Sequence, residues 1–204
     1  MAHIGMKYLV AAPITTHTEG SEPTYGSGFV VGPAVAADIN FEYENAEDRG
    51  DDVVVNSDEG MIGYNGSVEA NDIDKDVREK LLGWVKITTG EGQSATVSHY
   101  EGTADDPPAV GYGYMRITEK PYNGGKKIEA FWFKKAKFTP ASISDATKRR
   151  NIEYRHPKMN IKGEAVYLNS LSKNTFFKWM EFTSESAAKT WLNTLAGISS
   201  GTGT

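Results

Sequence analysis

No cysteine occurs among the 204 residues, which excludes disulfides and thiolate chemistry and suits a protein made and used in a reducing cytoplasm. Histidine is scarce too. His3, His17, His99 and His156 lie far apart, with no spacing that would join two of them on one helix or hairpin. A metal centre or a catalytic triad would therefore need convergence from distant parts of the chain. No Gly-x-Ser-x-Gly elbow is present. No run approaches the roughly 18 apolar residues of a membrane helix. The apolar run Tyr8 to Ile14 is short, is broken by Pro13 and has only Lys7 ahead of it, so it does not read as a secretion signal. Catalysis, cofactor binding and membrane insertion are thus not expected.

The glycine- and acid-rich stretches that resemble ligand loops fail on their contexts. Asp72-x-Asp74-x-Asp76 opens like a calcium loop, but Val77 stands where the turn glycine belongs and Gly83 where the bidentate acid belongs. Helix capping explains those acids better. Gly124-Gly125-Lys126-Lys127 leads into a strand and not a helix, so no helix N-terminus faces an anion. Gly26-Ser27-Gly28 likewise opens onto Phe29-Val30-Val31. Metals and cofactors are expected to be none.

What the chain does have is β-pattern and aromatics. Val110 to Phe138 reads as two β-rich arms around Asn123-Gly124-Gly125, a hairpin signal. In the first arm Val110, Tyr112 and Tyr114 alternate with Gly111, Gly113 and Met115. In the second, Ile128, Ala130, Trp132, Ala136 and Phe138 are expected on one face, with Phe131 and Phe133 on the other. Aromatics on both faces predict that the hairpin is covered on both sides. Strands are expected over Met6 to Ala11, Phe29 to Tyr43 with a break at Gly32-Pro33, Met61 to Ala70, Trp84 to Thr88, Asn151 to Tyr154, Ile161 to Leu168 and Phe176 to Phe182. Asp72 or Asp74 caps a short helix with Val77, Leu81 and Trp84 or Val85 on its apolar stripe. Thr183 or Ser184 caps a second, with Ala188, Trp191, Leu192 and Leu195 on one face and Gly197 at its end.

The net charge of −5 hides a division. From Asp38 to Glu79 there are 14 acids against three bases, and from Arg116 to Lys162 there are 13 bases against four acids. Such a chain can dock acidic surface onto the basic surface of a second copy, a head-to-tail contact that gives rings or filaments. The stretch Asn45 to Gly60 is too charged for a core and too long for a tight turn, yet holds Val53-Val54-Val55. It reads as an extended arm that becomes ordered on contact, with Glu47, Asp48, Arg49, Asp51, Asp52, Val53, Val54 and Val55 as contact residues. Lys148, Arg149, Arg150, Arg155 and Lys158 form the complementary basic surface. Nucleic acid is a poorer match for them, given the acidic total.

Taken together, Val10 to Glu44, the helix DVREKLLGW, the run VGYGYMRITEKPYNGGKKIEAFWFKKAKF and the C-terminal AAKTWLNTLAGIS resemble, in order and spacing, the major tail tube proteins of long, non-contractile-tailed bacteriophages. The resemblance spans nearly the whole chain. It implies a mainly β fold: a β-sandwich or barrel with one short central helix, a C-terminal helix and a long extended loop, as one domain over 1–198 with a disordered tail at 199–204. It further implies a structural virion protein, not an enzyme. Subunits would form hexameric rings, stacked through the loop at 45–60 into a tube that conducts DNA from capsid to host. The partners implied are other copies of the chain and the tape measure, tail terminator and distal tail proteins. DNA would pass without specific binding, and no membrane is involved. Assembly would take place in the host cytoplasm. Many relatives carry an added immunoglobulin-like domain, and none is expected here. A bore that releases DNA must not be basic, since each phosphate met by Lys or Arg adds affinity. Asp38, Glu42, Glu44 and Glu69 are the candidate bore acids. The alternative reading is a monomeric β-sandwich module binding carbohydrate or protein on a platform of Tyr112, Tyr114 and Trp132.

Overall fold

The computed structural model describes residues 2–50, 53–90, 95–100, 102, 106–120, 125–141 and 156–199. At 2–4, 45–50, 53–59 and 120 it describes the main chain. Thirteen strands and two helices follow one another as β1 (Ala2–Thr16), β2 (Thr24–Tyr25), β3 (Phe29–Gly32), β4 (Ala34–Gly50), β5 (Val53–Ala70), α1 (Lys75–Leu82), β6 (Val85–Thr89), β7 (Thr96–Tyr100), β8 (Val110–Lys120), β9 (Gly125–Pro140), β10 (Lys158–Gly163), β11 (Val166–Leu168), β12 (Lys173–Thr175), β13 (Phe177–Phe182) and α2 (Glu185–Ala196). The fold is mainly β, with a C-terminal helix.

β9 is the spine of an antiparallel sheet ordered β2-β1-β8-β9-β10-β5-β4. β8 runs along one edge of it. The other edge is shared: β13 pairs the first half, from Ile128 to Phe133, and β10 the second, from Ala136 to Pro140. The two ends of the sheet are joined by one stretch of chain. β3 pairs β1 while β4, one residue later, pairs β5, so the sheet curls back on itself like a barrel. Gly32 sits at that junction because a side chain there would fall on the carbonyl oxygen of Asp72. The inside is filled by Leu9, Val31, Tyr64, Val68, Tyr112, Phe133, Phe138 and Ile161, with Leu81 and Leu82 of α1 closing it.

A second apolar layer lies on the outside. Val10, Ala12, Met115, Ala130 and Trp132 meet Ala188, Leu192 and Ala196 of α2. Gly113 is what lets that helix approach, since a Cβ there would stand 2.8 Å from both Leu192 and Trp132. The β8–β9 hairpin is thus covered on both faces, as its aromatics on both sides predict. One detail of the expected facing is corrected. Ala136 and Phe138 join the inner layer with Phe133, not the outer one with Trp132. Val110 pairs Ala136 and Tyr112 pairs Phe133, so Lys134 and Lys135 together oppose Gly111. That bulge adds one residue and flips every later side chain.

Both helices end as their sequences dictate. The Asp74 carboxylate accepts from the Asp76 N–H at 2.8 Å, and Gly83 terminates α1 in the left-handed region. This is the capping use of the acids, and no group among the described residues could hold a metal ion. Ser184 Oγ accepts from the Ala187 N–H, and Gly197 ends α2 at φ 64°. No helix among the described residues is long and apolar enough to cross a membrane.

Candidate assembly surface

The stretch expected to be an extended arm is instead the outer half of a long β-ladder. β4 and β5 pair from Ala34↔Ala70 out to Gly50↔Val53. β10 accompanies β5 only between Glu69 and Tyr64. Beyond that, the ladder is a ribbon of two strands with no third among the described residues. The nine residues of β4 beyond Phe41, Glu42 to Gly50, reach about 30 Å past the sheet, at 3.4 Å per residue. The strand pairing was hidden in the sequence because so charged a run shows no apolar alternation. Two bulges bend the ribbon, between Glu42 and Tyr43 and between Asp48 and Arg49. Glu47, Asp48, Arg49, Val53, Val54 and Val55 all lie on its outer part, whereas Asp51 and Asp52 lie outside the described residues. A lone two-stranded hairpin is at best marginally stable in water, so this one gains from any surface that covers it.

Where the ribbon leaves the sheet, its core-facing side stays apolar after the core has ended. Phe41 stacks on Phe177 at 5.7 Å, and Tyr43 and Ile62 are more than half exposed. The row continues from Phe177 to Phe131 at 6.3 Å and from Phe131 to Trp179 at 6.3 Å. The Arg116 guanidinium lies 4.6 Å above Phe131, and its Nε donates to the buried Glu129 carboxylate at 2.7 Å. Trp179 and Met180 stand exposed on β13, whose only strand partner among the described residues is β9. An edge strand carrying a large apolar side chain on each face is open to pairing by another chain. Sequence reading noted β13 as a strand but not its place at an edge.

The segment that carries most of the basic residues starts and ends at the opposite end of the sheet. β9 ends at Pro140 and β10 begins at Lys158, and Met159 pairs Pro140 while Lys158 pairs Glu69, beside Ala70. The segment between them is therefore rooted at the Ala34↔Ala70 end, away from the ribbon's tip. Lys148, Arg149, Arg150 and Arg155 belong to it and lie outside the described residues, as does the strand expected over Asn151 to Tyr154. Lys158 is ion-paired with Glu69 at 3.4 Å.

The four candidate bore acids share one polar sheet face only in part. Asp38 and Glu42 project beside Ser67 and Asn65 of β5, and the same face carries Asn160 and Lys162 of β10 and Lys137 of β9. Glu42 accepts from Asn65 Nδ2 at 2.6 Å. Glu44 is exposed, and Glu69 is neutralised by Lys158. This face runs from acidic at β4 to basic at β9, so it is graded and not uniformly acidic.

The loop before β2 is locked by a charge cluster that the sequence did not reveal. Lys134, almost wholly buried, reaches Glu22 through Nζ at 3.1 Å and donates to Thr175 Oγ1 at 2.9 Å, and Lys178 also reaches Glu22, at 3.0 Å. Partial burial pushes the Glu22 carboxyl up, but hydrogen bonds from Lys178 and Lys134 outweigh it and hold the group below the usual carboxylate value. Nearby, Tyr25 donates to the Lys134 carbonyl at 2.8 Å, and burial pushes its phenol up to about 12.

The aromatics of the alternative binding platform are mostly core: Tyr112 and Trp132 are fully buried, and Tyr114 is half-buried. His99 Nδ1 lies 2.8 Å from Glu79 Oε1, and among the described residues no three His, Asp or Glu side chains gather as a metal site would need. No protein-family model matches the chain, and no curated protein matches it.

Proposed function

We propose that the chain is a structural subunit that assembles with copies of itself into stacked rings, forming the tail tube of a long, non-contractile-tailed bacteriophage. One observation carries the reading. An acidic, unaccompanied ribbon projects from one end of the barrel, and the segment holding Lys148, Arg149, Arg150 and Arg155 is rooted at the other. Such a subunit is complementary to itself by translation, which is the symmetry of a stack. The open edge at β13 and the aromatic row beside it supply lateral contact within a ring. The resemblance in sequence sets the expected ring size at six. It also sets the cargo, DNA passing without specific binding, and the partners, which are tape measure, terminator and distal tail proteins. In this reading the protein resides in the virion after assembly in the host cytoplasm and has no catalytic role.

Negative-stain electron microscopy of concentrated protein tests it. Hollow rods or rings are the expected result, and a strict monomer under all concentrations and salts overturns the reading. Deleting Asp51 to Asn56 should leave a folded subunit that forms rings but does not elongate. Continued growth of rods would mean that the ribbon is not the stacking element.

A further inference from the structure

β6 and β7 form a second two-stranded ribbon, and its polarity is inside out. Val85 pairs Tyr100, Lys86 pairs His99 and Ile87 pairs Ser98. The charged side is turned toward α1: Lys86 lies 3.6 Å from Asp76 and His99 Nδ1 2.8 Å from Glu79 Oε1, both acids on α1, while Val97 on that side stays 38% exposed. The apolar side faces solvent, with Val85 53%, Ile87 48% and Tyr100 54% exposed. Natural edge strands are protected by outward charges. Here Lys86 and His99 are both drawn toward the helix, so among the described residues of β6 and β7 the outer face carries no Lys, Arg, Asp, Glu or His.

From this geometry we infer that the outer face of β6–β7 is the landing site for the β4–β5 ribbon of a second copy. The inference rests on the stacked-ring reading and specifies the receiving surface within it. Three features single out this occupant. First, α1 follows Ala70 by four residues, so β6–β7 sits at the Ala34↔Ala70 end of the sheet while the β4–β5 ribbon leaves the other end. A copy displaced along the barrel brings one onto the other. Second, the β4–β5 ribbon carries Val53-Val54-Val55, three β-branched residues suited to lie on an apolar β surface. Third, the charges match: Glu47, Asp48, Asp51 and Asp52 would arrive at the end where Lys148, Arg149, Arg150 and Arg155 are rooted. The valines supply apolar burial and the flanking charges set the approach.

The absence of native cysteine makes the test clean. A chain carrying both Val54→Cys and Ile87→Cys, oxidised after assembly, should give a ladder of disulfide-linked multimers on non-reducing gels. Either single variant should give none beyond dimer. Ile87→Lys, with unchanged circular dichroism, should form rings that do not stack, matching the deletion of Asp51 to Asn56. Normal rods from Ile87→Lys, or no ladder from the double-cysteine chain within intact rods, overturns this contact while the tube reading stands. If the unmodified protein forms neither rings nor rods, the tube reading fails and this contact falls with it.

Discussion

The cluster at Glu22 offers the sharpest quantitative test of the structure. Lys134 is 3% exposed, and Glu22 and the Thr175 hydroxyl are the partners of its ammonium. Replacing Glu22 with Gln leaves that buried charge uncompensated. Breaking a fully buried pair from one side costs about 3–5 kcal/mol. Glu22 is 43% exposed, so water already screens part of the attraction and the expected loss is lower, about 1–3 kcal/mol. Lys134→Met removes the charge with its need for a partner and keeps the stem volume, so it should cost less than about 1 kcal/mol. Urea melts followed by circular dichroism measure both, and for a chain of this length about 2 kcal/mol should lower Tm by about 4–8 °C. The pH dependence has a definite sign. Glu22 binds its proton more weakly folded than unfolded, so its stabilisation is fully present above the ordinary carboxylate value of 4.5 and is lost as pH falls through the depressed one. Glu22→Gln should lack that component of acid sensitivity. Equal stability of Glu22→Gln and wild type at pH 7, or a Lys134→Met variant as damaged as Glu22→Gln, would refute the reasoning.

Two further outcomes follow from the packing and the charge pattern. Gly113→Ala puts a methyl 2.6 Å from the Phe131 carbonyl oxygen and 2.8 Å from Leu192 and Trp132; the loss should reach about 3 kcal/mol in urea melts, the upper range for overpacking, because a main-chain oxygen cannot rotate away. The triple change Asp38→Lys, Glu42→Lys and Glu44→Lys should make assembled rods retain duplex DNA at low salt and release it as salt rises, and rods indifferent to DNA would place these acids away from the bore.

Local signals were legible wherever neighbours in sequence are also neighbours in space. The break at Gly32-Pro33, the hairpin of β8 and β9, the capping of α1 near Asp72 or Asp74 and of α2 near Thr183 or Ser184, and Gly197 at the end of α2 all depend on residues a few positions apart. The acidic and basic halves were equally plain, because charge is additive along a chain. From Asn45 to Gly60 the sequence suggests only an extended arm, because the pairing there shows in backbone geometry and not in alternating apolar residues.

Facing and burial belonged to the tertiary structure. One inserted residue opposite Gly111 carries Phe138 from the outer layer to the inner. A period of two carries no memory of such a slip. The run expected as one strand from Ile161 to Leu168 divides into β10 and β11, since β10 has β5 and β9 beside it and β11 has only β12. The sequence by itself determined the apolar strands, the two capped helices and how charge is shared between the two halves. The curling of the sheet decided at which ends the charged segments are rooted and which apolar faces remain uncovered among the described residues, because both depend on pairings between residues far apart in the chain, such as β3 with β1 and β13 with β9.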